Sequence, residues 1–243
     1  MLPSRPFEII SFDCYGTLVD WEAGILSALR PIFLSYKIQL SDDHLLELFA
    51  EEESKNQVRD YFNYKTILKK MMRGFAARFK ITLTSSENDC LLRSLKTWEP
   101  FPDTLPALKA LKEKYKLAVI SNIDDDLFFE TAKKLEVPFD WVITSEQIKS
   151  YKPSLNNFRQ ALQKMSTAPE KVLHVAQSLY HDIAPAKTLG LATVWVNRRK
   201  GKPGFGATPP SGGAGDLEVA DLNELVKVLN SGAPAMENPV EKV

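Results

Sequence analysis

The feature that most constrains the fold of this chain is a regular alternation of helical and short apolar segments in its second half. After residue 103, four helical segments are each followed by a β-prone segment: these are Leu117–Ile120, Trp141–Thr144, Val172–Ala176 and Ala192–Val196. Neighbouring parallel strands need a long crossover connection, which a helix supplies. The alternation therefore predicts an α/β fold with a doubly wound parallel sheet.

The first predicted strand stands apart from this series because a long helical stretch follows it. Phe7–Phe12 is short and mostly apolar, and Gly16 breaks the run soon after it. Helical patterns then fill residues 20–98. We expect residues 1–19 and 99–243 to build the sheet domain, and residues 20–98 to form a helical cap over the carboxyl ends of its strands, where open α/β sheets bind ligands.

Two other segments are predicted to lack regular structure. Residues 200–215 are rich in Gly, Pro and Ser, so we expect a flexible surface loop there. The tail, residues 232–243, is expected to be disordered.

The composition indicates the kind of partner. Lys plus Arg (31) balance Asp plus Glu (31), so no overall charge attracts nucleic acid or an anionic membrane. The two cysteines, Cys14 and Cys90, have no metal-binding spacing, and no apolar run resembles a signal peptide or a membrane span. We expect a cytoplasmic protein that acts on a small molecule without nucleic acid or membrane partners; a homodimer stays an open alternative.

Polar residues follow four of the predicted strands at the end of each strand or shortly beyond it. The segments are Asp13–Thr17, Ser121–Asn122, Lys152–Pro153 and Gln177–Asp182. Each one alone has an ordinary explanation as a turn or loop. The carboxyl ends of parallel strands meet at one edge of a sheet, however, so the sequence predicts that these side chains converge on one site.

A carboxylate, hydroxyls, an amide, a lysine and a second carboxylate, in that order, resemble the four motifs of the haloacid dehalogenase superfamily. The resemblance spans Phe7 to Arg198, and residues 12–18 are similar to the nucleophile motif of the type II 2-haloacid dehalogenases. It implies a Rossmann-like core with an inserted helical cap. It also implies a hydrolase that forms a covalent ester on Asp13.

The resemblance assigns roles to individual residues. Asp13 would be the nucleophile, Lys152 would keep it ionised, and Asp182 would position or activate water, with a helix N-terminal carboxylate as the alternative reading of Asp182. His181 is either a proton carrier or a structural residue. The implied substrate-binding residues are Tyr15, Thr17, Ser121, Asn122, Gln177 and Ser178.

Two positions argue against a metal cofactor. Phosphatases of the superfamily carry a second aspartate two residues after the nucleophile, where this chain has Tyr15, and a Gly-Asp pair where it has Ala176 and Gln177. A halide leaves without a proton, whereas an alkoxide needs one. We therefore predict no metal, with Mg²⁺ required only if the protein is a phosphatase. That alternative stays open, as does a related protein with altered or partly lost activity.

Three positions depart from the dehalogenase pattern. Ala50 aligns with an arginine that binds the substrate carboxylate, Phe158 with a tyrosine and Leu179 with an asparagine. Arg59 and Arg73 are other cations that this site could use. The departures predict that small 2-haloacids are poor substrates.

Overall fold

The computed structural model describes residue 2, residues 7–57 and residues 60–231. Its six strands form one sheet in the order β3-β2-β1-β4-β5-β6, and every neighbouring pair is parallel. The strands are β1 (Ile9–Phe12), β2 (Lys116–Ser121), β3 (Trp141–Thr144), β4 (Val172–Ala176), β5 (Ala192–Val196) and β6 (Leu217–Val219). The predicted doubly wound parallel α/β fold is confirmed.

The central strand is β1, and its position follows from its composition. All four of its residues are buried, because helices cover both faces of a doubly wound sheet. Phe12 pairs with Val119 of β2 and Val175 of β4. The residue after β1 therefore emerges between two neighbouring strand ends.

The helices fall into an inserted group and a group that connects strands. The inserted group, between β1 and β2, is α1 (Trp21–Ser35), α2 (Asp42–Gln57), α3 (Tyr64–Phe79), α4 (Ser85–Asn88) and α5 (Cys90–Ser94). The later helices are α6 (Thr104–Lys112), α7 (Asp125–Leu135), α8 (Ser145–Ile148), α9 (Leu155–Met165), α10 (Ala184–Thr188) and α11 (Leu222–Ser231). Short 3₁₀ turns at Leu95–Thr97 and Pro169–Lys171 and a π-helical turn at Leu179–Ile183 complete the order.

Aromatic side chains pack the inserted helices together. Phe33 of α1 makes edge-to-face contacts with Phe75 and Phe79 of α3, with ring centroids 5.7 and 5.1 Å apart. Trp21 of α1 packs in the same way on Phe49 of α2, at 5.8 Å. Such pairs add to the burial of apolar area, so the three long helices form one packed unit.

Asp124 and Arg199 of the sheet domain are two of the residues that hydrogen-bond to the inserted helices. Asp124, in the turn after β2, accepts hydrogen bonds from the backbone N–H groups of Tyr64 and Lys65 at the start of α3. Arg199, after β5, donates to Glu22 of α1 and to Asp43 of α2. Because β2 and β5 lie on opposite sides of the central strand β1, the inserted helices are held to the sheet domain on both sides of that strand.

Residues 200–215 contain no helix or strand, yet Ala207 and Thr208 within this segment are buried. No described helix is long and apolar enough to cross a membrane. Arg59 and the predicted disordered tail, residues 232–243, lie outside the described residues.

Candidate active site

The predicted site residues meet at the carboxyl edge of the sheet. Asp13 follows β1 directly, Ser121 ends β2, and Lys152 precedes α9. Eight of the nine residues line one cavity of about 30 Å³: Asp13, Tyr15, Ser121, Asn122, Lys152, Gln177, Ser178 and Asp182. The ninth, Thr17, lies behind Asp13. Since a water molecule needs about 10–15 Å³, the cavity takes only a small molecule without movement of its walls.

Lys152 connects the two predicted catalytic carboxylates. Its Nζ lies 2.9 Å from Asp13 Oδ1, 2.6 Å from Asp182 Oδ1 and 2.8 Å from the Ile120 carbonyl oxygen. The side chain is only 1% exposed. Burial acts to lower the pKa of Lys152, but the charges of Asp13 and Asp182 outweigh it and hold the pKa above its usual value. Lys152 is therefore a permanent cation between two anions.

Asp13 is oriented through both of its oxygens. Oδ1 accepts from Lys152, and Oδ2 accepts from the Thr17 hydroxyl at 2.7 Å. Thr17 in turn accepts from the backbone N–H of Gln177 at 2.9 Å. Burial raises the pKa of Asp13 against the opposing pull of Lys152. The carboxylate is thus held in one orientation by groups from three segments of the chain.

A tight turn after β1 makes this arrangement possible. Gly16 has a φ of +93°, a left-handed conformation that favours glycine. A Cβ there would lie 2.7 Å from Trp21 Nε1. The glycine within the first motif therefore lets the chain turn close to Trp21 and present Thr17 to Asp13.

Asp182 is held from behind by a buried histidine. Its Oδ1 contacts His174 Nε2 at 3.0 Å as well as Lys152, and His174 Nδ1 contacts the Ser11 hydroxyl at 2.9 Å. Burial acts to raise the pKa of Asp182, but Lys152 and His174 outweigh it and hold the pKa below its usual value. Asp182 is thus an ionised site residue; the position of His174 on β4 gave no separate signal in the sequence.

Two buried oxygens in the cavity wall lack a hydrogen-bond partner among the described residues. They are Asp182 Oδ2 and Ser121 Oγ. Buried polar atoms are nearly always paired with protein or water. These two atoms can bind a water molecule or a polar group of a substrate.

Asn122 and Tyr15, which were predicted to bind substrate, hydrogen-bond to other residues of the protein. The Asn122 amide donates to the Lys152 carbonyl oxygen at 3.0 Å and accepts from the Lys152 N–H at 2.7 Å, so it positions the lysine. The Tyr15 hydroxyl is 2.8 Å from Thr131 Oγ1 on α7. Burial holds the pKa of Tyr15 well above its usual value. Tyr15 is therefore a poor proton donor.

His181 also lines the cavity, and it is neutral at pH 7. Burial lowers its pKa to about 4. Its backbone N–H donates to Ser178 Oγ at 2.8 Å, and its Nδ1 is 3.2 Å from the same hydroxyl. Ser178 thus caps the π-helical turn that carries Asp182.

Four cavity-lining residues were not predicted: Trp21, Glu53, Tyr64 and Thr208. Tyr64 donates its hydroxyl hydrogen to Glu53 Oε1 at 2.6 Å. Burial raises the pKa of Glu53 to about 7; Tyr64 opposes the shift and the Asp13 charge adds to it. A sequence signal existed, because Glu53 follows Leu46 and Phe49 at helical spacing on the buried side of α2.

The positions predicted as altered substrate anchors lie elsewhere. Ala50 is buried but does not line the cavity, where α2 contributes Glu53, one turn further along the same side. Phe158 is in the core against His174. Leu179 lines an adjoining depression of about 300 Å³, and Arg73 is exposed. Ala50 therefore does not contribute to the cavity wall, and Glu53 is the residue of α2 that does.

The described residues contain no group of three or more His, Cys, Asp or Glu that could hold a metal ion. In the cavity, Lys152 already bonds one oxygen each of Asp13 and Asp182. Magnesium needs several free carboxylate oxygens, but Asp182 Oδ2 is the only oxygen of this pair without a partner among the described residues, and the Lys152 ammonium between them repels a divalent cation. This donor set is a poor fit for a resident magnesium ion. Independence from metal stays a prediction.

Comparison with known proteins identifies the family of this chain. The family model for haloacid dehalogenase-like hydrolases matches residues 10–196, a range that contains Asp13, Lys152 and Asp182. The chain belongs to the haloacid dehalogenase-like hydrolases. As a member of that family it is an enzyme.

Individual relatives include two kinds of hydrolase. The (S)-2-haloacid dehalogenase 4A of Burkholderia cepacia is 25% identical over 224 residues, covering 90% of this chain and 93% of that protein. A glyceraldehyde 3-phosphate phosphatase of Methanothermobacter thermautotrophicus is 36% identical over 101 residues, covering 40% of this chain and 45% of that protein. This haloacid dehalogenase-like hydrolase thus matches a dehalogenase over far more of its length.

A solved structure shares the whole fold. The L-2-haloacid dehalogenase from Xanthobacter autotrophicus, with chloropropionic acid covalently bound, superposes with a TM-score of 0.76 at 17% identity, covering 93% of this chain and 100% of that chain. At this identity the likeness shows the fold alone. The hydrolase therefore has the architecture of an L-2-haloacid dehalogenase.

Proposed function

We propose that this protein hydrolyses a carbon–halogen bond of a small organic molecule through an ester on Asp13, without a metal ion. The observation that carries the proposal is the Asp13 carboxylate, oriented by Lys152 and Thr17 at the wall of a small cavity. The long match to (S)-2-haloacid dehalogenase 4A supports the same chemistry. In this proposal the inserted helices act as the cap that covers the substrate, and the enzyme works in the cytoplasm.

The first step is a displacement at carbon. An Asp13 oxygen attacks the carbon that bears the halogen; a C–O bond forms, the C–X bond breaks, and the halide leaves with the bonding electrons. A halide needs no proton donor. The weakly acidic Tyr15, at the position of the phosphatase acid, fits this requirement.

The second step is hydrolysis of the ester. In our proposal a water molecule binds to Asp182 Oδ2 and Ser121 Oγ, the two unpaired oxygens of the cavity wall. Asp182 takes a proton as the water attacks the carboxyl carbon of Asp13. Lys152 and Thr17 stabilise the negative charge that develops on the Asp13 oxygens. As the tetrahedral intermediate collapses, the bond between the Asp13 carboxyl carbon and the ester oxygen breaks, and Asp182 returns its proton to the departing alkoxide, which leaves as the product alcohol. The second proton of the water is released to solvent, and Asp13 is restored as a carboxylate.

A phosphatase is the alternative that one observation favours, namely the 36% identity to a glyceraldehyde 3-phosphate phosphatase. Phosphate monoester hydrolysis in this family would need a proton donor for the alkoxide and a cation for the phosphate charge. Tyr15 is a weak donor, and Gln177 supplies no charge. The site therefore supports displacement at carbon better.

The experiment is a single turnover in H₂¹⁸O with enzyme in excess over a halogenated substrate. We expect the label to enter the Asp13 carboxylate, seen by mass spectrometry of its peptide, because water attacks the ester at the carboxyl carbon. Asp13→Asn should lose turnover from the first cycle, since an amide is a far weaker nucleophile. Asp20→Asn, at the N-cap of α1, is the matched control and should keep activity. Label that appears first in the product would refute the covalent route.

A further inference from the structure

The cavity wall contributed by the inserted helices is polar and tightly held. Glu53 of α2 and Tyr64 of α3 are each 4% exposed, and the Tyr64 hydroxyl donates to Glu53 Oε1 at 2.6 Å. The backbone N–H of Tyr64 is bound by Asp124 at 2.7 Å, so the start of α3 cannot move freely. Glu53 is therefore held in a defined position in the cavity.

The charge of the cavity opposes an anionic substrate. Lys152 is the only lysine or arginine among the described lining residues, whereas Asp13, Glu53 and Asp182 supply three carboxyl groups. An ammonium has three hydrogens to donate, and those of Lys152 go to Asp13, Asp182 and the Ile120 carbonyl. A substrate carboxylate would thus meet like charges and no free ammonium hydrogen.

One oxygen of Glu53 is available to a substrate. Oε1 accepts from Tyr64, while Oε2 has no hydrogen-bond partner among the described residues. Asp13 and Glu53 line the same cavity of about 30 Å³. A molecule bound at Asp13 can therefore reach Glu53.

Resting on the proposed ester chemistry at Asp13, we infer that Glu53 is a specificity-determining residue that accepts a hydrogen bond from an uncharged halogenated substrate. The substrate carries an N–H donor next to the halogen-bearing carbon, as a 2-halocarboxamide does. A 2-haloacid places a carboxylate, which can only accept hydrogen bonds, at the same point. Glu53 Oε2 then has no donor, and the two negative charges repel each other. A site built for a donor discriminates strongly against an analogue that lacks it.

This selectivity has a pH dependence. The titratable groups that share the cavity with Glu53 are Asp13, Tyr15, Tyr64, Lys152, His181 and Asp182. With its pKa raised by burial to about 7, Glu53 becomes ionised as the pH rises from 6 to 8, whereas His181, with a pKa of about 4, stays neutral. Asp13 must be ionised for either substrate to react. Its titration therefore changes both rates by the same factor and leaves their ratio unchanged. The preference for the amide should grow through this range.

The test compares kcat/KM for 2-chloropropionamide and 2-chloropropionate, which have almost the same size. At pH 8 we expect the wild type to favour the amide by about tenfold or more, the effect of one hydrogen bond to a charged group. Glu53→Gln keeps the acceptor for Tyr64 but removes the charge, and should shift the ratio about tenfold toward the acid. Glu52→Gln, on the neighbouring residue that pairs with Lys55, should leave the ratio unchanged.

A second variant tests the same inference if Glu53→Gln does not fold. Tyr64→Phe removes the hydroxyl that holds Glu53, and it should reduce the amide preference in the same direction. The inference is refuted if the wild type turns over the acid as well as the amide, or if Glu53→Gln leaves the ratio unchanged. Efficient turnover of the acid that Arg59→Ala abolishes would identify Arg59 as a carboxylate anchor, and would refute it as well.

Binding of the products separates recognition from chemistry. Calorimetry should show tighter binding of lactamide than of lactate to the wild type, with the difference largely lost in Glu53→Gln. If that holds but no ester forms on Asp13, the proposed function fails while the recognition by Glu53 stands. If the ester forms but lactate binds equally well, the inference fails and the proposed function stands.

Discussion

At the level of single residues, Lys152 determines the state of the site. Its ammonium is the partner of two buried carboxylates, and its backbone is held by the Asn122 amide. A buried ion pair is costly to break, because the group left behind is an unpaired charge without water. The same lysine that orients Asp13 therefore also keeps the site folded.

Lys152→Met should remove turnover and destabilise the protein. Without the ammonium, burial raises the pKa of both Asp13 and Asp182, and their ionisation opposes folding. We expect the free energy of unfolding at pH 8 to fall by about 3–5 kcal/mol. The loss should be smaller at pH 5, because each carboxyl has a folded pKa above its unfolded value and regains stability as protonation proceeds.

Urea denaturation at pH 5 and pH 8 measures this difference. Lys149→Met is the control, since Lys149 is exposed and only approaches the Tyr61 ring. It should change stability by less than about 1 kcal/mol at both pH values. An equal loss of stability for Lys152→Met at both pH values would contradict the role given to the ion pairs.

At the level of elements, hydrogen bonds at the start of α3 link the end of strand β2 to the cavity wall. Asp124 follows β2 and accepts from two N–H groups of the first turn of α3. The first of these belongs to Tyr64, whose hydroxyl contacts Glu53. One capping carboxylate thus connects a strand end to the polar wall above Asp13.

Asp124→Ala should loosen this connection. It leaves the N–H groups of Tyr64 and Lys65 without their acceptor, and a lost helix cap costs about 0.5–2 kcal/mol. We expect lower thermal stability and a higher KM for the halogenated substrate, because Tyr64 and Glu53 are no longer held in place. Asp126→Asn removes only an exposed ion pair with Lys65 and should change neither quantity measurably. Unaltered KM in Asp124→Ala would contradict the connection.

At the level of the whole molecule, the sheet domain and the inserted helices build the cavity together. The strand ends supply Asp13, Lys152 and Asp182, and the helices supply Trp21 and Glu53. The family contains proteins of both chemistries, a dehalogenase and a phosphatase among the relatives. The reaction therefore depends on side chains at shared positions rather than on the fold.

Chelation distinguishes the two chemistries. Because the Lys152 ammonium already partners both carboxylates, we expect turnover of a halogenated substrate to persist unchanged after dialysis against EDTA. A magnesium-dependent phosphatase assayed in parallel provides the positive control. Loss of activity in EDTA with recovery on adding Mg²⁺ would favour the phosphatase alternative.

Much of the sheet was predictable because parallel strands leave a strong local pattern. The bounds of β3, β4 and β5 agree with the predicted segments residue for residue. The short strand β6 and helix α11 were not identified, since a three-residue strand carries almost no periodic signal. The π-helical turn at Leu179–Ile183 was missed for a similar reason, because such turns have no sequence rule.

The meeting of Asp13, Lys152 and Asp182 follows from residue order, because polar residues after parallel strands meet at one edge of the sheet. The tertiary structure alone decided that Glu53, rather than Ala50, faces the cavity. Both residues lie on the buried side of α2, and only the docking of that helix against α3 and the strand ends selects between them. It also decided that Lys152 binds both carboxylates, because hydrogen-bond partners depend on distances that residue order does not contain.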